Sequence, residues 1–161
     1  MSNKSDLINE VYQRLLTRIT AGQPLENVKR VRIGTVEEAR KDNDLPIINI
    51  ELSNGQELPR STSKALVDRM SLNVTLIHAK SQGSNTLWTT SEGGVRVGAL
   101  PTFELMLNAI DTGINGVTDS DFSGYADNLK SIAYDCREDE FVVEFTASVT
   151  VESKIFYIGG R

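Results

Sequence analysis

The 161-residue sequence has very few of the residues that most enzyme chemistries require. His78 is the only histidine, so no pair of histidines can hold a metal ion, and any histidine-based catalytic set must use this residue. Cys136 is the only cysteine, which excludes an internal disulfide and a cysteine metal cluster. No apolar stretch approaches the ~18 residues of a membrane span, and no leader pattern opens the chain, so we expect folding in the cytoplasm.

The charge balance also restricts the partners. Seventeen basic and twenty-two acidic residues give a net charge of −5, which repels nucleic-acid phosphates and anionic membranes, so we expect neither kind of partner. The basic residues Lys29, Arg30 and Arg32 alternate with apolar residues and fit the solvated face of a strand. With 39% apolar residues, the chain has enough hydrophobic content to fold, and its length favours one domain over 1–161.

Two segments have helical periodicity. The first begins at Ser5 or Asp6 and runs to about Ala21, with apolar residues at three-to-four spacing on one face. The second covers Pro101 to Asp111, with proline in the first turn and glycine just beyond the end. Both are predicted to pack one face on a core.

The remaining apolar segments alternate with period two, which is typical of strands. We predict strands from Val28, over Ile47–Leu52 before an Asn54-Gly55 turn, in the second half of Leu66–Ala79, and over Leu129–Cys136 and Phe141–Ile158. Loops are predicted at Glu37–Asp44, Ser81–Gly98, Asn115–Asn128 and Arg137–Glu140, with a short strand at Leu87–Thr89. One-sided alternation indicates a single α+β domain, a mostly antiparallel sheet flanked by two helices on one face.

Two near-matches to ligand-binding motifs are incomplete. Gly93 and Gly98 have the spacing of a phosphate-binding loop, but Ala99 and Leu100 stand where lysine and a hydroxyl residue would be needed. Asp119–Lys130 places oxygen side chains and a glycine as in a calcium loop. Lys130 then occupies the position of the bidentate glutamate, so we favour a polar loop over a calcium site.

No catalytic, cofactor-binding or metal-binding residue is predicted, and we expect a protein that is not an enzyme. His78 fits a structural residue at the end of a strand, and Cys136 fits a small buried apolar residue. The candidate partner-contact residues are Arg60, Trp88 and Arg96, because these residue types anchor protein interfaces and lie in or beside polar segments.

The order of elements resembles the tail terminator proteins of long-tailed bacteriophages, which include the tail completion proteins. The resemblance is carried by the helix over Leu7–Ile19, the segment Leu45–Leu52, the helix from Gly98 to Asp111, and Ala147–Val151. It implies a small α+β protein that forms a hexameric ring, caps the tail tube, ends its polymerisation and offers a surface for head attachment. The implied partners are further copies of the chain, the tail tube protein and the head–tail connector or neck proteins.

The implied location is the host cytoplasm during assembly and then the head-proximal end of the tail in the virion. Two alternatives remain at this stage. A head-completion or neck connector protein would differ only in its partner. A small-molecule or calcium-binding module would use Ser81–Gly98 as a lid near His78, or Asp119–Lys130 as a cation loop.

Overall fold

A computed structural model describes residues 3–52, 56–57, 65–79, 91–92, 95–96, 98–114, 116, 128–138 and 142–156, with side chains described at 8–52, 71–79, 98–114, 116 and 142–149. The elements in chain order are α1 (Asn3–Arg18), β1 (Arg30–Ile33), α2 (Val36–Arg40), β2 (Ile47–Leu52), β3 (Gln56–Glu57), β4 (Ala65–Ala79), β5 (Ser91–Glu92), β6 (Val95–Arg96), α3 (Ala99–Ile110), β7 (Asn128–Glu138) and β8 (Val142–Phe156).

Six strands form one sheet in the order β1-β2-β4-β8-β7, with β3 also paired to β4. The β1–β2 pair is parallel and the other pairs are antiparallel, while β5 and β6 form a separate two-stranded ribbon. The predicted α+β class with a mostly antiparallel sheet is confirmed. Within the described strands, β1 and β7 are the two edges of the sheet.

The helices α1 and α3 pack on one face of this sheet, which we call the core face. Alternate residues of three central strands point there, and all are buried: Ile48, Ile50, Leu72, Val74, Leu76, Val143, Phe145, Ala147 and Val149. Val11 and Leu15 of α1 join the same cluster, and the ring of Phe103 in α3 stacks on Phe145 with centroids 5.0 Å apart. The predicted placement of two helices on one face is therefore correct.

The opposite face, which we call the α2 face, carries a helix where the sequence predicted a loop over Glu37–Asp44. That prediction is wrong because Thr35 caps Val36–Arg40, its side chain accepting a hydrogen bond from the Glu38 amide at 3.3 Å. Ala39 is buried against Ile47 and Ile77, which anchors the turn to the sheet. The five-residue helix places only Val36 and Ala39 on this cluster, too few residues to produce a periodic apolar pattern.

Other boundaries differ modestly from prediction. Helix α1 ends at Arg18 instead of about Ala21, followed by Gly22 at φ 83°. The strand in the second half of Leu66–Ala79 extends over the whole segment, and Arg137 and Glu138 belong to β7 instead of a turn. The expected loop Ser81–Gly98 contains β5 and β6.

Some predictions fall on residues outside the described part of the chain. These are the Asn54-Gly55 turn, the short strand at Leu87–Thr89 and most of the Asn115–Asn128 loop. Among the described residues, no helix has the length and apolar character needed to cross a membrane.

Candidate functional site

A polar groove of 690 Å³ lies where β1 meets α2 and the segment that follows it. Its lining includes Arg30 and Arg32 from β1 and Lys41 and Asp42 after α2. Arg30 forms an ion pair with Asp42 while more than half of its side chain remains exposed. The groove therefore combines charges of both signs along one edge of the sheet.

Arg32 is fixed in the groove by hydrogen bonds to two residues. Its Nη1 donates hydrogen bonds to Oδ1 of Asn49 at 2.9 Å and to the carbonyl of Thr35 at 2.8 Å. The amide of Asn49, which is fully buried, donates in turn to the carbonyl of Gly34 at 3.0 Å. A Cβ at Gly34 would lie 2.9 Å from Nη2 of Arg32, so glycine here leaves room for the guanidinium.

Arg32 begins a polar row that crosses the α2 face. Arg32, Asn49, Thr75 and Thr146 are successive register partners across four strands. The hydroxyls of Thr75 and Thr146 are 3.0 Å apart, and Thr75 is only 2% exposed. These hydrogen bonds fix the strand register, because a one-residue slip would exchange the polar row for apolar side chains.

Arg40 connects α2 to the sheet through Glu144 of β8. The Nε and Nη2 atoms donate to the two carboxylate oxygens at 2.8 and 3.0 Å. These hydrogen bonds raise the pKa of Arg40 above its ordinary value, with burial opposing the shift. Glu144 is only 6% exposed, so α2 covers part of the polar face of β8.

A second charged cluster lies between α1 and α3, around the fully buried Arg14. Its Nε donates to Oε2 of Glu10 at 2.8 Å, and its Nη1 donates to the carbonyl of Ile110 at 2.7 Å. Oδ1 of Asp111 is buried without a hydrogen-bond partner. Burial raises the pKa of Asp111, while the positive charge of Arg14 opposes that shift. Because Arg14 of α1 donates a hydrogen bond to a carbonyl at the C-terminal end of α3, the cluster stabilises the packing of the two helices.

Sequence reasoning missed Arg14. One signal was available, since Glu10 and Arg14 have the i,i+4 spacing of a helical ion pair and flank the apolar stripe that contains Val11 and Leu15. Arginine side chains are usually exposed to solvent, so this spacing was not read as a buried ion pair.

The three predicted contact residues lie outside the part of the chain whose side chains are described. Arg60 and Trp88 lie outside the described residues, and Arg96 is described only as a backbone position in β6. His78 lies at the penultimate position of β4, with Nδ1 2.8 Å from the carbonyl oxygen of Ala79. No group of three or more His, Cys, Asp or Glu side chains within the described part could hold a metal ion.

The calcium-loop candidate is described only at its end. Residues 119–127 lie outside the described part, whereas Asn128, Leu129 and Lys130 open strand β7. A calcium loop of the helix–loop–helix type continues into a helix, so this continuation differs from the template.

Comparison of the sequence with protein-family models and with curated proteins gives no match in either case.

Proposed function

We propose that the chain is a tail terminator or tail completion protein of a long-tailed bacteriophage. In this role it is a structural protein that forms a hexameric ring on the end of the tail tube.

 It halts tube polymerisation and presents a surface to the head connector, first in the host cytoplasm and then at the head-proximal end of the tail.

The observation that carries this proposal is the length of the β4–β8 ladder relative to the helices beside it. Each strand has 15 residues, about 50 Å of extended chain, whereas α1 and α3 span about 24 and 18 Å. The ladder extends to Ala65 and Phe156.

Within the described residues, fewer strands are paired toward the Ala65 end of this ladder. Arg69 and Glu152 lie in a row of four described strands that includes Gln56 and Asn128, and only β4 and β8 are described at the Ala65 end. A two-stranded ribbon is marginally stable in water by itself, so packing against another molecule would stabilise it. The Ala65–Phe156 end of the ladder would suit a connector protein as the part that contacts a neighbouring subunit or the tube.

Exposed apolar side chains supply a second argument for assembly. Ile33 and Leu52 are 50% and 48% exposed at the ends of β1 and β2, while Leu105 and Ile114 are exposed at the α3 end of the domain. Burying such side chains in a contact contributes about 25 cal/mol per Å² of apolar surface.

The direct test is native mass spectrometry of the purified chain, combined with electron microscopy of tail tubes assembled from a purified tail tube protein. We expect a closed ring, with a hexamer as the expected size, on one end of each tube and tubes that stop growing when the chain is added. A strict monomer that does not bind tubes would overturn the proposal. Binding to head connectors without binding to tubes would assign the chain to the neck instead.

A further inference from the structure

The two edges of the sheet have opposite strand directions. Strand β1 runs parallel to β2, and three successive antiparallel pairings then lead to β7, so β1 and β7 run in opposite directions. If a second copy is placed beside the first with its strands in the same orientation, its β7 meets β1 as an antiparallel neighbour. Extended segments that join an open sheet edge in this way gain main-chain hydrogen bonds.

We propose that β1 of one copy pairs with β7 of a second copy, so that the sheet continues from subunit to subunit. This inference rests on the proposed ring and names the contact that would build it. The contact is head-to-tail, since two different surfaces meet, and repetition of such a contact gives a closed ring when the rotation closes.

The charges of the two edges are complementary. The segment 29–32 carries Lys29, Arg30 and Arg32 and no acidic residue. The facing end of β7 carries two acidic residues, Asp135 and Glu138, and one basic residue, Arg137. Opposite charges that face one another across strands stabilise a pairing, and they also favour one partner edge over others.

We infer the facing positions by continuing the register rows of one sheet across the contact. Following the rows across the sheet, Arg32 shares its row with Asp135, and Ile33 shares its row with Tyr134. Continuing these rows into a second copy places Arg32 opposite Asp135 and Ile33, which is 50% exposed, opposite Tyr134. The next row beyond β1 places Lys29 opposite Glu138.

One pairing in this register is unfavourable, because Arg30 shares its row with Arg137. Arg30 is already paired with Asp42 of its own chain, which reduces the repulsion. A short, charged edge strand can also serve to prevent pairing between sheets. Exchange of charges between the two edges separates these two roles.

The test exchanges charges between the two edges. The variants are Lys29→Glu and Glu138→Lys, with the subunit dissociation constant measured by native mass spectrometry or light scattering at low salt. Each variant alone places like charges opposite one another at every contact, and we expect the dissociation constant to rise about tenfold. A mixture of the two variants restores opposite charges at every contact between unlike copies, so we expect rings of alternating variants to form with the wild-type dissociation constant.

Lys41→Glu is the matched control, because it makes the same charge change on a side chain that is 77% exposed. We expect it to associate like the wild type. A second measurement uses Ile33→Cys with Tyr134→Cys in a Cys136→Ser background. Cross-strand Cα separations of about 4.5–5.5 Å permit disulfides, so oxidation should link the copies into a ladder on a non-reducing gel.

The outcomes separate the contact from the function. An oligomer that is insensitive to the charge exchange and forms no cross-links overturns the strand pairing and leaves the proposed function in place. Copies that pair through these edges but do not bind tail tubes support the strand pairing and overturn the proposed function. A strict monomer, with and without tubes, overturns both.

Discussion

Replacing Arg14 with methionine tests whether the buried charges between α1 and α3 act as one unit. The substitution removes the donor to the Ile110 carbonyl and the donor to Glu10, and it removes the positive charge nearest Asp111. Methionine keeps most of the aliphatic volume, so the change reports mainly on charge and hydrogen bonding.

The expected loss of stability is large. Breaking a buried ion pair by removing one partner costs about 3–5 kcal/mol, because the other charge is left uncompensated. The carboxylate of Glu10 is 10% exposed and can regain little hydration in place. For a chain of this size, that loss corresponds to a fall in melting temperature of about 6–20 °C.

The assay is urea denaturation at pH 7 followed by far-ultraviolet circular dichroism. Gln13→Met is the matched control, since it introduces the same residue at the preceding position of the same helix, and we expect it to change stability by no more than about 0.5 kcal/mol. The triple variant Glu10→Leu, Arg14→Met and Asp111→Asn should recover most of the loss, because no uncompensated charge remains. A loss below about 1 kcal/mol for Arg14→Met alone would refute this reasoning.

Three further variants test other contacts. The folded state raises the pKa of Asp111, so it binds this proton more tightly than the unfolded state, and stability falls as pH rises from the ordinary aspartate value through the folded pKa. Asp111→Asn should therefore be more stable than the wild type at pH 7 and lack this part of the pH dependence, as measured by thermal melts from pH 3 to 8. Arg40→Met should lower the free energy of unfolding by about 1–2 kcal/mol, a small loss because Arg40 is partly exposed. A double-mutant cycle with Glu144→Gln, measured by denaturation, should give a coupling energy near ~1 kcal/mol. Gly34→Ala should cost about 1 kcal/mol by displacing the guanidinium of Arg32, and it should be nearly neutral in an Arg32→Ala background, where nothing obstructs the new methyl group.

The elements that the sequence predicts best are those whose own residues determine them. Strand β2 matches its predicted bounds, Ile47–Leu52, because Pro46 precedes it and its residues favour extended backbone. Helix α3 is displaced by one or two residues from its prediction, since the first turn accommodates Pro101. Buried alternation in β8 was also visible in the sequence, as Val143 and Phe145 show.

The features that the sequence did not reveal depend on contacts between distant residues. Helix α2 is stabilised by Ala39 on the sheet and by Glu51, whose carboxylate accepts a hydrogen bond from the Val36 amide at 2.7 Å. The bond between Arg40 and Glu144 joins residues 104 positions apart. The groove beside β1 depends equally on the parallel pairing of β1 and β2, which no local pattern specifies.

The β4–β8 ladder also determines when this protein can finish folding. Its paired residues lie roughly 60 to 90 positions apart along the chain, so β4 cannot acquire this neighbour until residues 142–156 have been synthesised. During that interval one side of a 15-residue strand lacks its partner, and unpaired strand edges promote aggregation. Synthesis of the last two strands of the sheet therefore sets the period during which a nascent chain most needs protection by chaperones.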